Sequence, residues 1–204
     1  MVIMAEDKVL PFAGYEVDNA MKIVVGITGA SGSVYALRLI EVLRQLGHEV
    51  HAVVTDSGWQ VLEYECGVSQ EALAKRVAVL YDNDNVGAAI ASGSFRADAM
   101  VVLPCSMKTA ASIAHSMSDN LLTRAADVML KEGRNLILVP RETPMHAIHL
   151  ENLLKLAQLG VRIMPAAPGF YHRPETIEDL VDMLVGKICD QLGIDADLFA
   201  RWEG

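Results

Sequence analysis

Glycine and hydroxyl residues follow an apolar run near the start of the chain. Residues 22–28 lack the alternation of a half-exposed strand and predict a strand covered on both faces, followed by the loop Gly29, Ala30, Ser31 and Gly32. Glycines permit tight turns, and N–H groups at a helix N-terminus attract phosphate. The loop therefore indicates either a nucleotide site or a plain strand-to-helix turn.

A second polar segment, Pro-Cys-Ser-Met-Lys-Thr at residues 104–109, ends another buried apolar run at residues 99–104. Its two hydroxyls and its amine lie around a predicted helix start, which suits an anion or the polar edge of a flavin ring. The alternative is a helix cap with Lys108 in solvent. Cys105 is expected to be a small buried residue rather than a nucleophile, because no histidine or cation stands beside it in sequence.

A charged pair, Arg141 and Glu142, stands between Pro140 and Pro144 after a further buried run. The guanidinium of Arg141 could bind phosphate through several N–H donors, and the carboxyl of Glu142 could act as an acid or base if burial raises its pKa. A local salt bridge is the equally weighted alternative.

Two more segments could bind an anion. Ser92 and Gly93 lie in a Ser-Gly-Ser turn, whose successive N–H groups form an anion nest. Arg124, Asp127 and Lys131 recur at helical spacing on one face, which from spacing alone favours an ion-pair ladder over a phosphate grip.

The remaining candidates are a stiff loop and a pair of histidines. Residues 165–174 contain three prolines, Phe170 and Tyr171, which indicates a pocket wall or a subunit contact. His146 and His149 lie one helical turn apart near Glu142, but no further ligand motif accompanies them, so no metal is expected.

The elements that position these segments are strands alternating with helices. Apolar runs predict strands at residues 22–28, 49–55, 99–104, 136–139 and 161–164, with helical periodicity between them and Thr176 and Asp179 as an N-cap pair for the last helix. Pro144 is expected in the first turn of a helix that ends near Gly160, and residues 67–85 are left unassigned. The pattern predicts an α/β fold with a single doubly wound parallel sheet, and the polar segments follow its strands.

Bulk composition limits the remaining possibilities. The chain has 204 residues, a net charge of -9 and 52% hydrophobic residues, which suits one domain at residues 21–204 after an extension at residues 1–20. The absence of a basic stripe argues against nucleic acid, and no apolar run is long enough to span a membrane. Three cysteines without a pairing motif suggest a reducing, cytoplasmic location. The mean hydropathy of +0.28 suggests surface buried in a homo-oligomer.

Taken together, five ordered segments resemble the UbiX-like flavin prenyltransferases. They are residues 29–32, 104–109, 124–132, 140–144 and 165–174, and the resemblance runs from about residue 22 to residue 202. It implies a flavodoxin-like Rossmann domain in a dodecamer, with FMN at subunit contacts. It also implies transfer of a dimethylallyl group from dimethylallyl phosphate to N5 and C6 of reduced FMN, without a metal, yielding a cofactor for a UbiD-type decarboxylase.

The resemblance also implies roles for individual residues. FMN would be held by Gly29, Ala30, Ser31, Thr55, Ser106, Met107, Lys108, Thr109 and Arg141. The donor would be held by Ser92, Gly93, Arg124, Lys131, Tyr171, Lys187 and Trp202. The residues implied in catalysis are Ser31, Glu65, Arg124, Lys131 and Glu142. Glu65 and Trp202 are expected to reach the pocket from neighbouring subunits.

Three alternatives accompany this assignment. An FMN-dependent cysteine-type decarboxylase shares the fold, but Lys108 stands where those enzymes carry Asn. A non-catalytic flavin carrier would need only the FMN-binding residues. A nicotinamide dehydrogenase would use Asp56 for the ribose, but the Gly-x-Gly-x-x-Gly pattern is absent.

Overall fold

The computed structural model describes residues 2–4 and 20–202. Within them, one sheet contains seven strands in the order β1-β4-β3-β2-β5-β6-β7. The six strands from β4 to β7 run parallel, and the short β1 pairs antiparallel with β4 at one edge. The strands are β1 Val2–Met4, β2 Lys22–Ile27, β3 Glu49–Val54, β4 Val79–Tyr81, β5 Ala99–Cys105, β6 Asn135–Pro140 and β7 Arg162–Ile163.

Helices cover both faces of the sheet. The helices are α1 Ser33–Gln45, α2 Asp56–Cys66, α3 Gln70–Ala74, α4 Met107–Ala114, α5 Leu121–Lys131, α6 Ala147–Gln158 and α7 Ile177–Leu192. Apolar residues of α1, α2, α3 and α7 share one core cluster, and those of α4, α5 and α6 share the other. Along β2, Ile23 and Val25 point into the first cluster and Val24 into the second. This double coverage explains why the central strands read as continuous apolar runs.

The predicted doubly wound parallel sheet is therefore confirmed. The N-cap pair is also confirmed: the hydroxyl of Thr176 accepts from the N–H of Asp179, and the carboxylate of Asp179 accepts from the N–H of Thr176. Among the described residues, no helix is long and apolar enough to cross a membrane. The domain boundary after residue 20 stays a prediction, since most of the extension lies outside the described residues.

One element prediction was wrong, and one unassigned stretch contains regular structure. Pro144 does not open a helix, because α6 begins at Ala147 after the extended residue His146, whose side chain does not cap it. Periodicity alone cannot mark a helix start that has no capping side chain. Residues 67–85 contain α3 and β4, and β4 has only three residues, too few for a periodic signal.

Candidate functional site

The sheet changes winding direction between β2 and β5, and a buried threonine joins the two strand ends there. The Oγ1 of Thr28 donates to the carbonyl oxygen of Pro104 at 2.8 Å and accepts from the N–H of Ser106 at 2.7 Å. Thr28 is 1% exposed. In open α/β sheets, ligands bind in the crevice at this switch point. Sequence analysis did not single out Thr28; its only signal is a hydroxyl at the end of an apolar run.

The loop at residues 29–32 lies against the start of α2. A Cβ on Gly29 would stand 2.5 Å from both Cβ and Oγ of Ser57, so only glycine fits between the loop and that helix. Thr55 is the N-cap of α2, and its hydroxyl accepts from the N–H of Gly58. Thr55 and the glycine loop therefore meet at one edge, as predicted from their strand ends.

Glu65, at the C-terminal end of α2, binds the N-terminus of α1. Its Oε2 accepts from the N–H groups of Gly32 and Ser33, both at 2.9 Å. These donors were expected to attract a phosphate, and here a carboxylate of the same chain takes that place. The expectation that Glu65 acts from a neighbouring subunit is thereby corrected: the parallel pairing of β2 with β3 brings α2 beside this loop.

The environment of Glu65 keeps it ionised. Partial burial opposes the charge, but hydrogen bonds from the Ser31 side chain and from the two N–H groups, with the positive charge of Arg141, hold the pKa of Glu65 below its usual value. Ser31, Glu65 and Arg141 are thus linked electrostatically within one chain.

The segment after β5 forms the N-terminus of α4. Ser106 is the N-cap, and its Oγ accepts from the N–H of Thr109 and lies 3.0 Å from that residue's hydroxyl. Lys108 is exposed, and Met107 is buried beneath the helix start. Cys105 is fully buried, and burial raises the pKa of its thiol to about 12, which confirms the expectation that it is no nucleophile.

Arg141 lies at the end of β6, beside the start of α4. Its N–H donates to the carbonyl oxygen of Cys105 at 3.3 Å, and its buried Nε has no hydrogen-bond partner. An unpaired buried guanidinium nitrogen is costly unless a ligand binds it, so this donor and the N-terminus of α4 fit the phosphate of FMN. The following carboxylate, Glu142, accepts from the N–H of Thr143 at 3.0 Å and is partly exposed.

A second group lies along α5 and at its C-terminal end. Arg124 forms the expected ion pair, since its Nη1 lies 3.0 Å from Asp127. Its Nε donates to the carbonyl oxygen of Ala91 at 3.2 Å. Lys131 lies beside Gly93, because a Cβ on that glycine would stand 2.9 Å from the lysine Nζ. The structure therefore brings the Ser92–Gly93 turn together with the α5 cations.

Arg134, which sequence analysis missed, supports this turn. Its guanidinium donates to the carbonyl oxygens of Gly93 at 2.7 Å and Phe95 at 2.6 Å. It follows Gly133 in a helix-to-strand connection, where no sequence pattern distinguishes it from a solvent-exposed residue.

A third group joins α7 to the C-terminal segment. The rings of Tyr171 and Trp202 of the same chain meet edge to face at 6.2 Å. The expectation that Trp202 reaches the pocket from a neighbouring subunit stays a prediction. Asp190 accepts from Lys187 at 3.3 Å and from both terminal nitrogens of Arg201. This ion pair anchors the segment that carries Trp202.

The three groups are separated within one chain. The residues predicted to hold FMN form the first group, here called the FMN group: residues 29–31, Thr55, residues 106–109 and Arg141. It lies at the carboxyl ends of the strands, whereas Gly93 and Lys131 lie near the amino end of β6, about 20 Å away along six strand residues. The α7 group packs against the opposite face of the sheet from α5. A single site that uses all three groups therefore requires more than one copy of the chain.

The histidine pair lies at the start of α6. The rings of His146 and His149 stack with centroids 3.5 Å apart. In the described part of the chain, no three side chains of the metal-binding types are grouped to hold an ion.

Comparison with known proteins gives concordant matches. The flavoprotein family model matches residues 13–189. The flavin prenyltransferase UbiX of Halalkalibacterium halodurans is 48% identical over 188 residues, covering 87% of this chain and 91% of that protein. The crystal structure of AnUbiX (PadA1) in complex with FMN and dimethylallyl pyrophosphate superposes with a TM-score of 0.89 at 40% identity, covering 91% of this chain and 99% of that one. A dodecameric FMN-dependent Ubix-like decarboxylase from Escherichia coli O157:H7 has a TM-score of 0.88 at 43% identity, covering 90% and 100% of the two chains.

Proposed function

Because this chain belongs to the UbiX-like flavin prenyltransferases of the flavoprotein family, we propose that it transfers a dimethylallyl group from dimethylallyl phosphate to N5 and C6 of reduced FMN. The observation that carries the proposal is the unpartnered buried Nε of Arg141 beside the N-terminus of α4. An anion-binding position at the switch point of the sheet suits the phosphate of a flavin mononucleotide.

We assign one set of residues in the chain to binding the flavin and another set to binding the prenyl donor. When bound, reduced FMN supplies the nucleophilic atoms that accept the dimethylallyl group. The loop at residues 29–31, Thr55, the Ser106–Thr109 cap and Arg141 hold and orient it. Ser31, hydrogen-bonded to the ionised Glu65, provides a hydroxyl whose proton can move toward that carboxylate.

The donor's leaving group determines what the second group must do. Breaking the carbon–oxygen bond leaves negative charge on phosphate and positive charge on the allylic carbon. Arg124 and Lys131, with the Ser92–Gly93 turn, stabilise the phosphate, and Lys187 adds a third cation. Glu142 gives a proton to the departing phosphate, and the rings of Tyr171 and Trp202 face the allylic carbon.

The separation of these groups supports a site shared between copies. We place the FMN group of one copy against the Arg124–Lys131 grip of another, within a homo-oligomer that is a dodecamer, like the E. coli neighbour. Large apolar side chains on α6, including Ile148, Leu150 and Leu154, are more than half exposed in the single chain. Such a surface is typical of a face that assembly covers. The product would pass to a UbiD-type decarboxylase, and the expected location remains the cytoplasm.

An anaerobic reaction tests the activity. The protein is incubated with reduced FMN and dimethylallyl phosphate, and the mass of the extracted flavin is measured by mass spectrometry. We expect a gain of one C5H8 unit in the wild type, a strong loss of product in Glu142→Gln, and no loss in the matched control Glu175→Gln, whose carboxylate is exposed. Flavin that stays bound but unchanged would instead favour a carrier or a cysteine-type decarboxylase.

A further inference from the structure

Glu132 places a carboxylate inside the group of cations that surrounds the end of α5. It is the C-cap of that helix, and its Oε1 contacts the Nζ of Lys131. Its other oxygen lies 4.0 Å from the Nη2 of Arg134. Hydrogen bonding and charge from Lys131, with the charge of Arg134, lower the pKa of Glu132, so the group is an anion at neutral pH.

This carboxylate also lies against the Ser-Gly-Ser turn. A Cβ on Gly93 would stand 2.8 Å from the Cδ of Glu132 and 2.9 Å from the Nζ of Lys131, so the missing side chain is what allows this contact. Arg134 holds the turn in place through the carbonyl oxygens of Gly93 and Phe95. The carboxylate thus contacts both elements of the predicted donor grip, the cation and the glycine turn.

Helix stability does not account for an acid at this position. The C-terminus of a helix carries partial negative charge, which favours Lys131 there and opposes Glu132. The contact of Glu132 with Lys131 is partly exposed, with side-chain exposures of 34% and 46%. A pair of this kind contributes little to folding.

We propose that the carboxylate of Glu132 occupies the anion-binding groups of Lys131 and the Gly93 turn, and that a phosphate monoester displaces it on binding. The inference rests on the proposed function in so far as this grip receives the donor's phosphate. A phosphate dianion carries more charge than a carboxylate and has more acceptor oxygens, so it competes effectively for Lys131. The displaced carboxylate stays near Arg134. Glu132 is therefore a specificity-determining residue, because a donor without a strongly charged leaving group does not displace it.

Titration with inorganic phosphate tests this displacement without turnover. The full-length protein is saturated with FMN, so that the flavin phosphate position is filled, and phosphate binding is measured by calorimetry. An exposed ion pair corresponds to roughly a two- to fivefold change in affinity, so Glu132→Gln should lower the Kd for phosphate by about that factor. Glu132→Ala, which lacks a hydrogen-bonding group, should give the same tightening.

Two control variants separate displacement from other effects. Glu178→Gln removes the same charge from an exposed position on α7 and should leave the Kd unchanged. In a Lys131→Met background, Glu132→Gln should give no further tightening, because the two residues act as a coupled pair. Melting temperatures of the Glu132 variants should stay close to that of the wild type, because the loss of an exposed ion pair and the removal of an acid from a helix C-terminus nearly offset each other.

The outcomes distinguish this inference from the proposed function. The displacement of Glu132 by phosphate is overturned if Glu132→Gln binds phosphate no more tightly than the wild type, or if the tighter binding persists in the Lys131→Met background. This holds even if the wild type prenylates FMN. If the wild type yields no prenylated flavin but the Glu132 variants bind phosphate more tightly, the displacement stands and the assigned reaction fails.

Discussion

Gly29→Ala introduces a methyl group where the loop at residues 29–32 meets α2. The new Cβ would stand 2.5 Å from the Cβ and Oγ of Ser57 and 3.2 Å from its carbonyl carbon. The Cβ of Ser57 is bonded directly to the backbone, so it cannot swing away as the end of a long side chain would. The loop or the first turn of α2 must therefore shift.

The cost follows from the crowding. Inserting a methylene into filled space costs about 1–3 kcal/mol. For a domain of this size, each kcal/mol lowers the melting temperature by about 2–4 °C, so we expect a fall of about 2–12 °C. A shifted loop also misplaces Ser31 and its neighbours, and losing one or two ligand hydrogen bonds weakens FMN binding roughly tenfold.

Thermal melting and flavin fluorescence titration measure the two effects at equal protein concentration. Gly87→Ala is the matched control, because the nearest atom to its new Cβ is 3.7 Å away and the change should be nearly neutral. Combining Gly29→Ala with Ser57→Gly removes both close contacts. The double variant should therefore lose less stability than the sum of the losses in the two single variants. Unchanged melting and FMN affinity in Gly29→Ala would refute the claim that this loop and α2 are in tight contact.

Three further results are expected. Gly186→Ala brings a Cβ to 2.6 Å from the ring of Phe199, so it should loosen the C-terminal segment, shift the fluorescence of Trp202 and raise the donor KM more than it lowers kcat. A thiol reagent at pH 8 should label one cysteine, Cys66, in the native protein, since the other two are buried; rapid labelling of all three would contradict this. The pKa of Glu65 is lowered in the folded state, so its ionised carboxylate stabilises the fold. The difference in melting temperature between the wild type and Glu65→Gln should be full above about pH 5 and should disappear as acid protonates Glu65 in the folded protein. A difference that grows in acid would contradict the assigned sign.

Local patterns in the chain predicted much of the fold. The apolar runs that form β2, β3, β5 and β6 are covered on both faces. Because neither face of such a strand meets solvent, its sequence is apolar throughout and does not alternate between polar and apolar residues. The Thr176 cap is likewise local, because its partner lies three residues away. The short β4 was missed, since three residues cannot establish a period, and its place beside β3 depends on pairing across the sheet.

For the site, the sequence by itself determined which residue types follow each strand, because that order is written in the chain and parallel strands end at one edge. Tertiary structure decided their partners. Glu65 meets the N–H of Gly32 from 33 residues away, and Arg134 reaches the carbonyl of Gly93 from 41 residues away. Such contacts depend on strand order and helix packing, which no local spacing encodes. The fold alone also shows that Gly93 and Lys131 lie near the amino end of β6, away from the loops that follow the carboxyl ends of β2 and β5, because α5 runs back along the strands.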